Sequence, residues 1–213
     1  MGPLKDIKIF DLTRVLAGPH CTQILGDLGA DIIKIERVET GDDTRKFAPP
    51  YMKDSDGKDT NQSAYFSGTN RNKRSLTLDL SSEEGQSIAR ELISKSDILV
   101  ENFKVGTLKK YNLDYESLKD QFPDLIYCSI TGFGQTGPYA KRPAYDALVQ
   151  AMGGVMSLTG EPDGEPMKVG VSIADLMAGM YATVSILAAL RHRDKTNQGQ
   201  HLDISMLDAH VAW

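Results

Sequence analysis

The sequence is poor in several features that would assign a function at once. Its 213 residues contain only two cysteines, Cys21 and Cys128, far apart and without metal-type spacing. That excludes a disulfide framework and a cysteine-built zinc site, and fits reduced intracellular thiols. The four histidines (His20, His192, His201 and His210) are scattered, so no metal site is expected; His192, beside Arg191 and Arg193, suits a helix C-terminus. Positive charge is in deficit. With 24 Lys and Arg against 29 Asp and Glu, the net charge of −5 argues against a general nucleic-acid binder. The first strand–helix turn reads DLTRVLAGPHC. It has no GxGxxG, and without those glycines a backbone cannot approach a pyrophosphate closely. No serine elbow or serine paired with a base is visible. The opening MGPLKDIKIFDL enters a strand pattern immediately, so neither a signal nor a transit peptide is expected.

What remains is the composition of a globular domain, 40% hydrophobic and 25% charged, with length for a substantial core. Short β-rich runs alternate with helical patterns. Strands are expected at 7–10, 31–36, 75–80, 97–102, 125–131 and 201–207. Helices are expected at about 18–28, 83–95, 115–121, 145–152 and 170–190. Near-continuous apolar strands separated by helices imply an α/β fold, a mostly parallel sheet covered on both faces. The polar stretch 38–62 reads as a long loop, and loops of that length are usually functional or mobile. Ligands of such sheets sit at the carboxyl ends of the strands. Those ends carry Thr13 and Arg14, Glu36 and Arg37, Glu101 and Asn102, and the turn 132–137. Glu36 stands where a ribose-binding acid of a dinucleotide enzyme would, but Arg37 beside it offers a flat cation for a phosphate or an adenine. The three-glycine turn TGFGQTGP reads as tight turning, and Asn70–Arg74 as a solvated basic loop or a contact for a ligand phosphate.

One acid stands apart. Between positions 170 and 190, GVSIADLMAGMYATVSILAAL, the only formal charge is Asp175. The run is long enough to span a bilayer, but its charge, its Ser, Thr and Gly residues and the lack of a second span favour a buried helix of a soluble protein. An ionised carboxylate leaves water only if something compensates it. A helix N-terminus can do so; equally, a partly desolvated carboxylate can serve as a nucleophile or base.

Five segments together carry a resemblance: IKIFDLTRVLAGPHCTQILGDLGADIIKIERVETGDDTR, NRNKRSLTLDL, DILVENFKVGTLKKYNLDYESL, IYCSITGFGQTGP with RPAYDALVQAMGG, and GVSIADLMAGMYA. The chain resembles the family III CoA-transferases, the group that includes formyl-CoA:oxalate and carnitine CoA-transferases and alpha-methylacyl-CoA racemase. The likeness runs from about residue 4 to the end. Within the family, DLTRVLAGP, GDDTR and YCSITGFGQTGP are most similar to succinyl-CoA-dependent dicarboxylate transferases acting on glutarate or hydroxymethylglutarate.

The resemblance implies a Rossmann-like large domain that binds CoA, with Asp175 as the nucleophile. It implies transfer of CoA from an acyl-CoA donor to a carboxylic acid through a covalent aspartyl intermediate, with coenzyme A as substrate and no resident cofactor or metal. CoA contacts carried over are Leu16 and Ala17 at the first helix, Arg37, and the segment Leu78, Asp79, Leu80 and Ser81. The others are Asn102, Phe103 and Lys104, then Lys110, then Arg142, Tyr145 and Asp146. Cations suit the adenosine phosphates, and an apolar channel with a few amide-like partners suits pantetheine. Gly153 and Gly154 are candidate oxyanion donors. Racemases of the family carry a histidine where Tyr145 stands; tyrosine, with an unperturbed pKa near ~10, is a poor neutral-pH base, which favours transfer. Family members are longer than this chain, so the match is to their N-terminal half: a large domain over 1–205, and a linker helix starting at 206–213. Full-length members interlock as homodimers. The expected setting is a soluble protein of the cytoplasm or mitochondrial matrix, with acyl-CoA and carboxylate substrates and neither nucleic-acid nor membrane partners. Alternatives are a racemase-like enzyme, a noncatalytic CoA-binding fragment and a dinucleotide oxidoreductase.

Overall fold

The structure, a computed structural model, describes residues 2–213, with Asn61 described by its backbone alone. Met1, where the expected domain starts, lies outside them. Six strands form one sheet in which every neighbouring pair is parallel: β1 (Lys8–Asp11), β2 (Asp31–Glu36), β5 (Lys73–Thr77), β6 (Ile98–Glu101), β7 (Ile126–Thr131) and β8 (His201–Ser205). Their order, β5-β2-β1-β6-β7-β8, is that of a doubly wound nucleotide-binding sheet. The chain runs outward from β1 in one direction and restarts on its other side with β6, so the crevice between the ends of β1 and β6 is the topological switch point.

Alternation along the strands divides the interior in two. Ile9, Ile98, Val100, Ile126 and Cys128 point to one side, under α1 (Ala17–Asp27), α5 (Asp146–Met152), α6 (Ile173–Thr196) and α7 (Met206–Val211). Phe10, Leu12, Leu99 and Tyr127 point to the other, under α3 (Glu83–Ile93) and α4 (Tyr115–Leu118). With both faces buried, the central strands are largely apolar, with polar residues such as Asp11, Glu101 and Thr131 at their carboxyl ends. Cys21 and Cys128 are buried free thiols.

α6 is long and apolar enough to cross a membrane by length and composition alone. Here Ala174, Ala178, Ala182, Ile186 and Ala189 bury a stripe of it in the core, at the 3–4-residue spacing of one helix face. Residues 206–211 form α7 rather than a continuation of the last strand, and Met206, Ala209 and His210 are buried.

Two expectations are corrected. The strand expected at 75–80 lies at Lys73–Thr77, because pairing with β2 starts at Ile32 and ends at Glu36; Leu78 and Leu80 pack from the following turn instead. The stretch 38–62 is not a plain loop. Asp42 accepts from Thr44 N and Oγ1 and caps a 3-10 turn, Asp43–Lys46, and β3 (Tyr51–Lys53) and β4 (Asp59–Ser63) then form an antiparallel hairpin leading into α2 (Ala64–Asn70).

Candidate active site

The loop between β1 and α1 crosses the switch point, and it is fixed from several sides. Asp11, fully buried at the end of β1, accepts from Thr13 N (2.9 Å), Thr13 Oγ1 (2.6 Å) and Thr22 Oγ1 (2.7 Å) and pairs with buried Lys73 at 3.2 Å. Burial alone would raise the Asp11 carboxyl, but Lys73, Lys34 and the two hydroxyls outweigh it and hold it low. Burial brings Lys73 down to about 8 against the pull of Asp11. A second buried pair, Lys34 and Asp42 at 2.9 Å, ties in the next residues: Lys34 Nζ donates to Thr13 O (2.7 Å), and Asp42 Oδ1 accepts from Val15 N (3.3 Å). Val15 needs that support. Its φ of 71° is strained for a β-branched residue. Asn102, at the end of β6, closes the crevice by accepting from Arg14 N (2.9 Å) and donating to Arg14 O (2.7 Å).

Asp175 lies in the first turn of α6, opposite this loop. Its carboxyl faces the backbone of Ala17, the first residue of α1, whose N-terminus has no side-chain cap of its own. Gly179, one turn further along the same face, makes the approach possible: a Cβ there would sit 2.7 Å from Ala17 O. Asp146 caps α6 from the next helix, its Oδ1 accepting from Ala174 N at 2.8 Å, while Oδ2 accepts from Gln150 Nε2 at 2.6 Å. Burial, then the Asp146 charge, push the Asp175 carboxyl up to about 7 against the opposing pull of the Ala17 backbone. A carboxyl in that range is ionised in part at neutral pH and poorly solvated, which makes it a more reactive anion.

Asp175 opens into a cavity of about 220 Å³ lined also by Ala17, Asn102, Phe103, Lys104, Arg142 and Tyr145. A second cavity of about 370 Å³ lies across the switch point, lined by Arg37, Leu78, Asp79, Leu80 and Ser81, and by Arg14 and Phe103. Phe103 borders both. The expected contacts therefore fall into two adjoining groups, one around the acid and one around an arginine.

Three of the expected contacts lie elsewhere. Leu16 is buried at the start of α1 and lines neither cavity, Lys110 is exposed and lines neither, and both oxygens of Asp146 are engaged in the fold. Gly153 and Gly154 are corrected as oxyanion donors: their N–H groups donate to Val149 O and Ala151 O. Glu36 is not a free ribose acid, since Arg45, Ser75 and the Asp42 N–H occupy both its oxygens. The basic loop is largely structural: Lys73 is buried on Asp11, Arg71 pairs with Asp27, and Arg74 with Asp31. The turn 132–137 uses Gly134 and Gly137 at φ of 79° and 88°, as tight turning requires.

Some neighbours of Asp175 were not legible in the sequence. The phenol of Tyr65 is pushed up by burial and then by the charges of Asp175 and Asp146, which places it near both acids. Thr131, ending β7, lines the same cavity with a buried hydroxyl that has no partner among the described residues. Tyr65 lies in α2, a two-turn helix that the sequence reading did not place, and Thr131 reads as one more strand residue.

A nucleotide-type sheet with a desolvated carboxylate beside its switch point, next to an arginine-lined cavity, offers a reactive acid and a place for a phosphorylated ligand. The sequence profile of CoA-transferase family III matches residues 4–213, and the chain belongs to that family. It is 52% identical over 210 residues to succinate–glutarate CoA-transferase of Agrobacterium fabrum, covering 99% of this chain and 52% of that protein. Against human succinyl-CoA:glutarate CoA-transferase the identity is 44% over 210 residues, covering 99% of this chain and 46% of the relative. The crystal structure of a CAIB/BAIF family protein from Brucella suis superposes with a TM-score of 0.94 at 51% identity, covering 99% of this chain and 55% of that one. The chain thus spans about half the length of the relatives it matches.

Proposed function

We propose that this chain supplies the CoA-binding and nucleophilic half of a transferase that moves CoA from succinyl-CoA to a dicarboxylate such as glutarate. Asp175 is the nucleophile. One of its oxygens attacks the thioester carbonyl carbon and the C–S bond breaks, giving a mixed anhydride and CoA thiolate. The thiolate attacks the aspartyl carbonyl, the C–O bond to the donor acyl group breaks, and succinate leaves with both electrons. The resulting aspartyl–CoA thioester meets the acceptor carboxylate, the two steps run in reverse, and Asp175 is regenerated. Splitting one exchange into successive acyl transfers is what a covalent nucleophile contributes.

The observation that supports this reading is the pairing of two cavities at Phe103, one presenting Asp175 and the other Arg37. An extended ligand with a thiol at one end and phosphates at the other fits that division. We assign Ala17, Asn102, Phe103, Lys104, Arg142 and Tyr145 to the pantetheine end, and Arg37 with residues 78–81 to the adenosine phosphates. The names of the relatives, succinate–glutarate and succinyl-CoA:glutarate CoA-transferase, support the choice of donor and acceptor. Asp146 is a positioning residue, since it holds the first turn of α6. Among the described residues, those lining the Asp175 cavity include no histidine to shuttle an alpha-proton, which favours transfer over racemisation. The large domain ends where β8 gives way to α7. The acceptor pocket and interlocked homodimer belong to the length of the relatives that this chain does not span. We read the protein as a soluble enzyme of the cytoplasm or mitochondrial matrix.

The test is to trap the intermediate. The chain is incubated with succinyl-CoA, quenched with hydroxylamine or borohydride, and mapped by mass spectrometry. Modification at Asp175, lost in Asp175→Ala, is the expected result; modification of another residue, or none, overturns the assignment.

A further inference from the structure

Two guanidinium groups that line the larger of the two cavities share one carboxylate, Asp43, which stands behind them and outside the lining itself. Arg14 Nη1 lies 3.4 Å from Asp43 Oδ2, and the other oxygen of Asp43 takes Arg37 Nη2. Both arginines line the cavity. The Arg14, Arg37 and Asp43 side chains keep 31%, 49% and 43% of their surface, so these pairings are open to water and to competition. Of the two acids that line the cavity, Glu36 is held through both oxygens by Arg45, Ser75 and the Asp42 N–H, and exposed Asp79 accepts from Ser81 N and Oγ through Oδ1 alone. Of the three groups in the cluster, two are positive and one is negative.

Arg14 is also better fixed than a surface arginine. Asn102 grips its peptide on both sides, and its guanidinium stands 5.3 Å from the centre of the Phe103 ring. Arg37 is steadied by its Nε donating to Gly41 O at 3.3 Å. Two guanidiniums held on either side of one carboxylate match an anion with several oxygens better than they match a carboxylate with two.

We propose that Arg14 is a second phosphate-binding cation of this cavity, acting with Arg37 as a clamp, and that Asp43 is a resident counter-ion which the phosphate displaces. The proposal rests on the reading of this cavity as the adenosine-phosphate end of the ligand. It adds a residue that the family resemblance does not imply and a competition built into the site itself. Each arginine exchanges an exposed carboxylate partner for a phosphate, and Asp43 turns to solvent, so binding displaces one anion with another and leaves no charge buried alone.

Calorimetric titration of the chain with adenosine 3′,5′-bisphosphate, and separately with pantetheine, tests it. Arg14→Gln is expected to weaken nucleotide binding about tenfold, the size of one lost charge-assisted hydrogen bond. Its salt dependence should also be shallower, with pantetheine affinity unchanged. Arg14→Lys should recover part of the loss, as a point charge without the fork. Asp43→Asn should tighten nucleotide binding several-fold by removing the competitor. Unchanged binding in Arg14→Gln overturns the clamp, and so does a parent chain that takes no nucleotide. If Asp43→Asn weakens binding as much as Arg14→Gln does, Asp43 organises the arginines and the displacement is refuted. Should Arg14→Gln melt early, Arg14→Lys and Asp43→Asn decide the matter. Acylation of Asp175, followed in the same preparations, separates the two ideas: its loss with nucleotide binding intact sinks the nucleophile and spares the clamp, and the reverse sinks the clamp alone.

Discussion

Asp146 closes the first turn of the helix that carries Asp175: its Oδ1 accepts from Ala174 N at 2.8 Å, one residue ahead of Asp175. Ser172, at the N-cap position, makes no such bond, so the cap is borrowed from α5. One carboxylate therefore shapes the backbone that presents the other. Its negative charge also adds to burial in holding the Asp175 proton up to about 7. Geometry and electrostatics are coupled through one side chain.

The two roles separate in Asp146→Asn. Asparagine caps a helix about as well as aspartate, so α6 should keep its first turn. The charge is gone, however, and the Asp175 carboxyl should ionise at lower pH. The acylation rate of the parent is expected to rise with pH and level off above about 7, following the Asp175 carboxylate. In Asp146→Asn the midpoint should move to lower pH by several tenths of a unit or more. A pH–rate profile of single-turnover acylation measures the shift, and superimposable profiles would show that Asp175 does not feel Asp146.

Asp175 should also limit the stability of the fold. Its folded-state value of about 7 lies above the ordinary 3.8, so the folded protein keeps a proton that the unfolded chain has released. That preference stabilises the fold fully below the ordinary value and disappears as pH climbs toward 7. Above 7 the parent carries a buried charge that an amide lacks. Asp175→Asn should melt higher than the parent at pH 8, with the advantage shrinking toward pH 4. Each kcal/mol corresponds to about 2–4 °C in a chain of this size. Differential scanning calorimetry across that range checks both sign and window; an advantage that grew toward acid would contradict the raised value.

The contact between α1 and α6 depends on the missing side chain at Gly179. A Cβ would meet Ala17 O at 2.7 Å and His20 Cδ2 at 3.1 Å, and a backbone carbonyl cannot step aside. Gly179→Ala should lower stability by about 1–3 kcal/mol through overpacking. Because the same contact sets Asp175 against the Ala17 backbone, acylation should fall further than the loss of folded protein explains. Gly68 is the control. It lies in α2 at an exposed position with nothing within 4 Å of a built Cβ, and Gly68→Ala should stabilise by about 0.5–1 kcal/mol. Urea unfolding of both variants tests the opposite signs.

The parallel sheet and its helices were legible because buried strands and amphipathic or apolar helices leave periodic patterns, and Asp175 was legible because it breaks one. The ends of β5 were misplaced by two or three residues, since at an edge strand the alternation of Leu76, Leu78 and Leu80 continues past the last paired residue, Thr77. Asp146 read as a ligand contact, for nothing in a linear sequence shows that an acid on one helix caps another 28 positions away. Arg14 was noted only as a polar residue at a strand end. Its partnership with Arg37 runs through Asp43, in the irregular stretch 38–62 where no repeating pattern exists to read.

That stretch is held in place by Glu36, whose buried carboxylate accepts from Arg45 Nε and Nη2 at 2.7 Å each, from the Asp42 N–H at 2.8 Å and from Ser75 Oγ. Burial alone would raise Glu36, but these bonds, with Arg45 the strongest, take it down to about 2 from an ordinary 4.5. A lowered carboxyl stabilises the fold fully above its ordinary value and loses that contribution as pH falls toward 2. Arg45→Gln removes the bidentate partner and the guanidinium that lies 3.8 Å from the Phe66 ring centre. It should cost about 1–3 kcal/mol at pH 7, the range for hydrogen bonds to a charged group. The variant should also flatten the pH dependence of stability between 4.5 and 2. Since Glu36 and Arg45 anchor both ends of the segment carrying Arg37 and Asp43, adenosine 3′,5′-bisphosphate should bind more weakly even where Arg45→Gln is fully folded. Acid titration of the melting temperature, paired with calorimetric binding at pH 7, reads both effects. Loss of stability without loss of nucleotide affinity would mean that the two arginines find their places without this anchor.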